Sequence, residues 1–449
     1  MGVRTSSEEW LKKDEQYIWH AMRQYNPEAT MVVCQADGAW IEDADGNKYL
    51  DAMAGLWCVN AGYGRDELAG AAYEQMKELP YVPMTQSHIP AIQLGEKLTE
   101  WLGDEYVIFF SNSGSEANET AFKIARQYHQ QNGESERHKF ISRYRAYHGN
   151  SMGALAATGQ ALRKYRYEPL AQGFLHVSPP DLYRSPYKGT EEEQALAFAN
   201  EIDRTMTWEM SETVAGVIME PIITGGGIIV PHDSYLPRVR EICDQHGALL
   251  IIDEVICGFG RTGKRFSFQH YGIQPDIVTM AKGITNGYLP LAATAVRKDI
   301  YEAFKGSEPY DHFRHVSTFG GNPAACAVAL KNIDIFEEEQ LVQRSETMGE
   351  KLLNELSELT DHPNVGHLRG KGLLIGIECV ENKQTKEPLA AEKVDQLIAF
   401  CKKEGVIIGK NGDTVSGFNN IIALSPPLSL TEDDLRFIVQ TIKKAFAQL

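Results

Sequence analysis

Residues 248–283 read ALLIIDEVICGFGRTGKRFSFQHYGIQPDIVTMAKG, and they give the clearest indication of the fold. It contains two short apolar runs, 249–252 and 277–281, and each is followed directly by a charged residue. Short, continuous apolar runs that end in polar residues are typical of buried strands in a parallel sheet. Asp253 and Lys282 would then lie at the carboxyl ends of two strands, which is the edge of an α/β sheet where ligands bind.

An acid and a lysine at one sheet edge suit a particular chemistry. Taken alone, Asp253 fits a turn or a helix cap, and Lys282 fits a solvated side chain. The pair is different, because a lysine at the end of a buried strand costs free energy to desolvate unless it is used. A lysine can form a Schiff base with pyridoxal phosphate, while a carboxylate keeps the pyridine nitrogen protonated so that the ring accepts electrons.

The motifs along the chain, taken in order, resemble those of the class III (omega) aminotransferases, a pyridoxal-phosphate family of fold type I. The segments IIDEVICGFGRTGKRF and TMAKGITNGYLPLAA carry most of the resemblance, which extends from GAWIEDADGNKYLD to LSPPLSL. It implies an α/β fold in which a large domain is built on a mainly parallel seven-stranded sheet, next to a smaller α+β domain. The expected boundaries are 1–60 for an N-terminal arm and hairpin that belong to the small domain, 61–330 for the large cofactor-binding domain, and 331–449 for the rest of the small domain.

Composition limits the classes of function. The 449 residues are 43% apolar, which is enough for a substantial core. A net charge of -17 argues against nucleic acid or an anionic membrane as a partner. No stretch approaches the roughly 20 apolar residues of a spanning helix. The seven cysteines are scattered and form no CxxC, which predicts reduced thiols in a cytoplasmic enzyme, with no disulfide framework and no metal site.

A phosphate-binding turn is predicted after the strand at 107–110. Ser113 and Glu116 have the spacing of a capping box, and a helix that begins with Ser and Gly also offers free N–H groups and its positive dipole end to an anion. By the family resemblance, Tyr147 stacks on the cofactor ring and Thr318 reaches the phosphate of the neighbouring subunit. The full set of cofactor contacts expected from the resemblance is Ser113, Gly114, Ser115, Tyr147, His148, Glu220, Asp253, Val255, Lys282 and Thr318.

The substrate pocket departs from one familiar pattern. The resemblance places Trp57, Tyr147 and Phe319 in its walls. Family members that act on amino acids such as GABA often hold the distal carboxylate with an arginine near the C-terminus, but alignment puts Gly409 in that position. Bidentate recognition of a carboxylate requires arginine, so the usual mode of acid binding is in doubt. The other cations that could hold an acid group are Lys410, Arg163 and Arg166.

The predicted activity is amino transfer from a primary amine without an α-carboxylate to pyruvate, in preference to 2-oxoglutarate, by ping-pong kinetics. Lys282 would hold the cofactor as an imine and, once released, move a proton between substrate and cofactor. The resemblance also implies a homodimer with active sites at the interface. A taurine-like or β-alanine-like donor and a biotin-pathway intermediate all remain open. A pyridoxal-phosphate aminomutase or lyase would keep the same residues, whereas a nicotinamide-dependent oxidoreductase is disfavoured because no GxGxxG follows the first strand.

Periodicity predicts several further elements. Apolar residues at helical spacing predict an amphipathic arm over residues 8–25. The Asp45–Gly46 pair predicts the turn of a hairpin over 40–51. Near the C-terminus we expect helices at 340–357, 390–404 and 431–448, and strands at 373–378 and 421–424.

Overall fold

The computed structural model describes residues 7–22, 26, 30–103, 105–411 and 414–449. Its α-helices are α1 (Ser7–Tyr17), α2 (Ala54–Trp57), α3 (Asp66–Glu78), α4 (Ile89–Leu102), α5 (Gly114–Gln131), α6 (Met152–Ala157), α7 (Ala161–Lys164), α8 (Glu191–Trp208), α9 (Tyr235–His246), α10 (Lys298–Glu302), α11 (Pro323–Glu338), α12 (Leu341–Leu356), α13 (Ala391–Lys403) and α14 (Glu432–Phe446). Its strands are β1 (Val33–Asp37), β2 (Trp40–Asp43), β3 (Lys48–Asp51), β4 (Tyr106–Ser111), β5 (Lys139–Arg143), β6 (Phe174–Val177), β7 (Val214–Met219), β8 (Leu249–Asp253), β9 (Ile277–Met280), β10 (Ala292–Arg297), β11 (Val365–Gly370), β12 (Ile375–Asn382), β13 (Glu387–Pro388), β14 (Val406–Ile407), β15 (Gly409–Lys410) and β16 (Ile421–Leu424).

The largest sheet has seven strands in the order β4-β10-β9-β8-β7-β5-β6. Strand β10 runs antiparallel to both of its neighbours, and the other six strands run in one direction. Strands β7, β8 and β9 are buried along their whole length, as expected for strands covered by helices on both faces. The prediction of an α/β fold with a mainly parallel seven-stranded sheet is confirmed.

The register of β8 and β9 places the two predicted site residues at one edge. The strands pair in parallel, with Asp253 opposite Thr279. Strand β9 ends at Met280, so Lys282 follows it within two residues and lies at the same edge as Asp253. Both apolar runs of residues 248–283 therefore form neighbouring strands, as the sequence predicts.

Two smaller sheets flank this core. One contains β1, β2, β3 and β14, and the other contains β11, β12, β16 and β15, with β13 paired to β12. The predicted hairpin is confirmed as β2 and β3, which pair antiparallel. The first of these sheets combines strands from both ends of the chain, since β14 pairs with β3, whereas the second contains only strands from the C-terminal part. The expected domain boundaries at residues 60 and 330 stay a prediction.

The ends of the chain differ in part from the sequence-based prediction. The N-terminal helix ends at Tyr17 and buries none of its residues, and residues 23–25 of the predicted arm lie outside the described residues. The strand predicted at 373–378 runs from Ile375 to Asn382, and the preceding strand β11 was not predicted.

Among the described helices, none is long and apolar enough to cross a membrane.

Candidate active site

The carboxyl ends of the parallel strands meet in a cavity of about 370 Å³. Strand β4 contributes the turn at the start of α5, β8 contributes Asp253, and β9 leads to Lys282. The cavity brings together nine of the predicted cofactor contacts, which are Ser113, Gly114, Ser115, Tyr147, His148, Glu220, Asp253, Val255 and Lys282.

Asp253 is held by three hydrogen-bond donors. Its Oδ2 accepts from Asn118 Nδ2 at 2.9 Å and from His148 Nδ1 at 2.8 Å, and its Oδ1 accepts from the backbone N–H of Val255 at 3.0 Å. The carboxyl is 3% exposed, so these donors replace water and fix its orientation. The second ring nitrogen of His148 is buried without a hydrogen-bond partner.

Asn118 is a site residue that the sequence reasoning missed. Besides Asp253, its Nδ2 donates to the carbonyl of His148 at 2.7 Å, and its Oδ1 accepts from Thr279 Oγ1 at 2.8 Å. It therefore ties α5 to the ends of β8 and β9. The available signal was a polar residue four positions after Gly114, on the helix face that also carries Ala121 and Ala125 and packs on the sheet.

Lys282 has a left-handed backbone, with φ of +48°. Such a conformation is strained for a residue with a side chain, and strain of this kind clusters at functional sites. Cys58, which the sequence reasoning also missed, lines the same cavity. Burial raises the pKa of the Cys58 thiol, while the positive charge of Lys282 opposes that shift. The thiol therefore lies within electrostatic range of the lysine.

The turn before α5 has the geometry of an anion site. Ser113 is the N-cap and accepts from the backbone N–H of Glu116 at 3.2 Å. The reciprocal half of the predicted capping box is wrong, because the Glu116 carboxylate accepts from the backbone N–H of Asn112 at 2.8 Å. A Cβ on Gly114 would lie 2.9 Å from Val255, so only glycine fits and the backbone stays open to the cavity. Free N–H groups at the start of an 18-residue helix suit a phosphate.

Glu220 fixes the backbone beside the predicted stacking residue. Its Oε1 accepts from the backbone N–H of Tyr147 at 3.1 Å, and its Oε2 accepts from the backbone N–H of Thr224 at 3.0 Å. Burial raises the pKa of Glu220, and burial also raises the pKa of Tyr147. Both shifts favour the neutral forms of these groups.

The predicted substrate residues are only partly brought together. Arg163 places its guanidinium carbon 4.9 Å from the centroid of the Tyr147 ring, so a cation lies beside a residue that lines the cavity. Trp57 packs against the buried cluster that includes Met53 and Ile222, and it does not line the cavity itself. Arg166 stacks on Tyr165, outside the cavity lining.

Three other predicted residues lie away from the cavity within this chain. Lys410 forms an ion pair with Asp395 on α13, so its charge is already compensated. Phe319 is 63% exposed, and its ring lies 5.8 Å from the ring of Tyr81. Thr318 is also exposed, and its carbonyl accepts from the Tyr81 hydroxyl at 3.0 Å. Residues 318 and 319 therefore point to a surface and not into their own chain's cavity.

A profile of the class III aminotransferases matches residues 21–446. The chain belongs to the class III aminotransferases. A pyridoxal-phosphate-bound amine transaminase from an uncultivated Pseudomonas species has the same fold, with 36% identity, a TM-score of 0.92 and coverage of 96% of this chain and 98% of that one. The protein described here, as a class III aminotransferase, is therefore an enzyme that uses pyridoxal phosphate. The described residues contain no group of three His, Cys, Asp or Glu side chains that could hold a metal ion.

Other similar proteins carry names that state different substrates, or no substrate. An uncharacterised aminotransferase of Bacillus subtilis, YhxA, is 68% identical over 97% of this chain and 96% of its own length. A taurine–pyruvate aminotransferase of Bilophila wadsworthia is 41% identical over 98% and 97%. An adenosylmethionine-8-amino-7-oxononanoate aminotransferase of Staphylococcus aureus is 36% identical over 97% and 96%. The crystal structure of a Bacillus anthracis aminotransferase has a TM-score of 0.97, 60% identity and 99% coverage of both chains.

Proposed function

We propose that this enzyme transfers the amino group of a primary amine without an α-carboxylate to pyruvate. The proposal depends on which lysine and arginine side chains lie in or beside the cavity. Among the described residues that line the cavity, Lys282 is the only lysine or arginine, and Arg163 is the cation beside Tyr147. One guanidinium can hold the single carboxylate of pyruvate, whereas 2-oxoglutarate brings two. The relative named taurine–pyruvate aminotransferase supports the same donor and acceptor classes.

The residues of the cavity fit pyridoxal phosphate. When bound, the cofactor supplies a carbon for covalent attachment and a ring that accepts electrons. The N-terminus of α5, from Ser113 to Ser115, would hold the phosphate, and Asp253 would face the ring nitrogen. Lys282 would attach covalently and, when free, carry a proton to or from the substrate carbon as the general base. Tyr147 and Val255 would enclose the ring.

The acceptor preference can be tested with one pair of variants. We expect kcat/KM for pyruvate to exceed that for 2-oxoglutarate by about tenfold or more, because the described residues that line the cavity offer no second arginine or lysine to the second carboxylate of 2-oxoglutarate. Arg163→Met should raise KM for pyruvate by about tenfold to a hundredfold. Lys410→Met is the control and should leave that KM unchanged, because Lys410 pairs with Asp395. Faster turnover with 2-oxoglutarate, or a KM that rises only in the Lys410 variant, contradicts the proposal.

We also propose that the enzyme acts as a homodimer with shared sites. The exposed positions of Thr318 and Phe319, next to exposed Val316 and Tyr81, support a contact with a second copy. In a dimer formed by a Lys282→Ala chain and a Thr318→Ala chain, one site carries both changes and the other carries neither. Mixing and reassembling the two weakened proteins should therefore restore about one site in four. If the activity of the mixture stays at the average of the two separate variants, or if a verified monomer is fully active, the shared site is refuted.

A biotin-pathway aminotransferase is the second candidate, supported by the relative from Staphylococcus aureus whose name states that activity. A pyridoxal-phosphate aminomutase would use the same residues. A panel of amine donors, with the keto product and the aminated acceptor both quantified, separates the three. Transfer from adenosylmethionine to 8-amino-7-oxononanoate selects the second candidate, and rearrangement without an acceptor selects the third. The cytoplasmic location stays a prediction.

A further inference from the structure

Gln160 is a buried glutamine that stands directly before α7. Its Nε2 donates to the Arg145 carbonyl at 2.9 Å, and its Oε1 accepts from Arg163 Nε at 2.5 Å. Because no water can replace these partners in the interior, the two contacts fix the plane of the amide. Gln160 therefore joins the chain just before Tyr147 to an arginine on α7.

The backbone beside this amide is paired as well. The Arg145 N–H donates to the Gly159 carbonyl at 2.8 Å, and the Gly159 N–H donates to the Ala146 carbonyl at 2.8 Å. A Cβ on Gly159 would lie 2.0 Å from the carbonyl oxygen of Arg143, so glycine is needed for this close approach. The segment that ends in Gln160 is therefore held against the segment that follows β5.

Arg163 lies over the ring of Tyr147. Its guanidinium carbon is 4.9 Å from the ring centroid, which is the distance of a cation–π contact. Its Nη1 also contacts the sulfur of Met22 at 2.8 Å, but Met22 is 64% exposed and a thioether is a weak acceptor. The guanidinium is planar, so a partner on Nε fixes the orientation of the whole group. The buried contact with Gln160 therefore holds the guanidinium on the ring.

Tyr147 is the residue of this set that lines the cavity. Its backbone N–H donates to Glu220 Oε1 at 3.1 Å, which places the backbone but leaves the ring its own torsions. Arg163 occupies one face of the ring, so the other face is left for a bound cofactor. A ring that is already held on one face loses less conformational entropy when a ligand stacks on the other.

We propose that Gln160 is a positioning residue for the cofactor, which holds the Arg163 guanidinium against the Tyr147 ring and so sets the ring in place before pyridoxal phosphate binds. Gln160 does not line the cavity itself and acts through Arg163. The proposal does not depend on which amine or acceptor the enzyme uses. It therefore stands or falls separately from the proposed function.

Gln160→Met tests this role through the affinity for the cofactor. Methionine has a similar length but neither a donor nor a strong acceptor, so Arg163 Nε loses its buried partner. We expect the dissociation constant for pyridoxal phosphate to rise by about tenfold, which is the size of effect expected for one lost cation–π contact. Titration of the cofactor-free protein, followed by visible absorbance, measures this constant without any turnover. An unchanged constant overturns the proposal.

Gln160→Glu separates the hold on Arg163 from general damage to the interior. Glutamate keeps an oxygen that accepts from Arg163, now in a charge-assisted hydrogen bond, but it loses the donor to the Arg145 carbonyl. We expect this variant to bind the cofactor within about threefold of the parent, even though its thermal midpoint falls. A role limited to packing predicts that Gln160→Glu weakens binding as much as Gln160→Met, and that result contradicts the proposal.

Gln269→Met is the matched control. Gln269 Nε2 donates to the Trp101 carbonyl at 2.9 Å and its Oε1 accepts from the Phe266 N–H at 3.2 Å, so it also joins a carbonyl to an N–H donor. It does not line the cavity. We expect a lower thermal midpoint but the parental affinity for pyridoxal phosphate. Equal weakening in Gln160→Met and Gln269→Met would show a general loss of stability and overturn the specific role.

A double-mutant cycle decides whether Gln160 acts through Arg163. Arg163→Met removes the cation from the Tyr147 ring and should weaken cofactor binding by a similar factor. Adding Gln160→Met should then weaken it no further, because the contact that Gln160 holds is already gone. Two effects that multiply in the double variant overturn the proposal. If Gln160→Met does not fold, Gln160→Asn replaces it in each test, because its shorter side chain cannot reach both partners. Saturating cofactor keeps this effect out of the pyruvate measurement on Arg163→Met.

Discussion

Replacing Lys282 with alanine should lower turnover by about 10⁴-fold or more and abolish covalent attachment of the cofactor. The lysine lies two residues after a fully buried strand and lines the cavity together with Asp253. It would supply both the attachment point and the general base, so a single change removes two functions. Reduction of the loaded parent with borohydride, followed by peptide mapping, should place the label on Lys282 and leave the variant unlabelled.

Lys264→Ala is the control for this experiment. Lys264 lies in the loop between β8 and β9 and is exposed, so its loss removes one lysine without touching the cavity. We expect this variant to keep the parental rate and the label on Lys282. A label on any other lysine of the parent, or a Lys282→Ala protein that still turns over within tenfold of the parent, contradicts the assignment.

The central part of the fold was predictable because it depends on local sequence. Strands β8 and β9 are continuous apolar runs, and burial on both faces leaves that pattern with few alternatives. Their polar ends then locate the site, since parallel strands deliver their carboxyl ends to one edge. Strand β10 gave no comparable signal, because its alanine-rich sequence AATAVR fits a helix as well as a strand. Its antiparallel direction depends on its neighbours in the sheet.

The contacts of the site were less predictable, because they join residues far apart in sequence. Asn118 meets Asp253 across 135 positions, and no local pattern marks that pair. Lys410 was predicted to contact the substrate and does not line the cavity. It follows Gly409, which occupies the position of the family's arginine, but its ammonium group forms an ion pair with Asp395 on helix α13. The sequence also does not predict that residues 54–57 all have a left-handed backbone, with φ between +47° and +65°. Three of these four residues carry side chains that disfavour this conformation.

Replacing Asp253 with asparagine should keep the fold but lower kcat by about 10³-fold. Asparagine carries no negative charge to stabilise a protonated ring nitrogen in the cofactor, so the ring would accept electrons poorly. The amide also replaces one of the two accepting oxygens by a donor, which leaves either the Val255 N–H or both the Asn118 and His148 donors without an acceptor. Single-turnover kinetics with an amine alone would measure the loss, and circular dichroism would check the fold.

Glu254→Gln separates this electronic role from a general effect of a buried acid. Glu254 adjoins Asp253 but does not line the cavity, and its Oε1 accepts from the backbone N–H of Phe268 at 2.7 Å. Burial raises the pKa of Glu254 to about 8, so the side chain is mostly neutral at pH 7 and glutamine replaces it without a change of charge. We expect the parental rate at pH 7. Because the pKa of Glu254 rises from 4.5 to about 8 on folding, the parent loses stability as the pH rises from 4.5 to about 8. The thermal midpoint of the glutamine variant should therefore rise relative to that of the parent over this range and keep a constant difference above it. Parental kcat in Asp253→Asn, or an equal loss in both variants, would show that the charge of Asp253 does not drive the reaction.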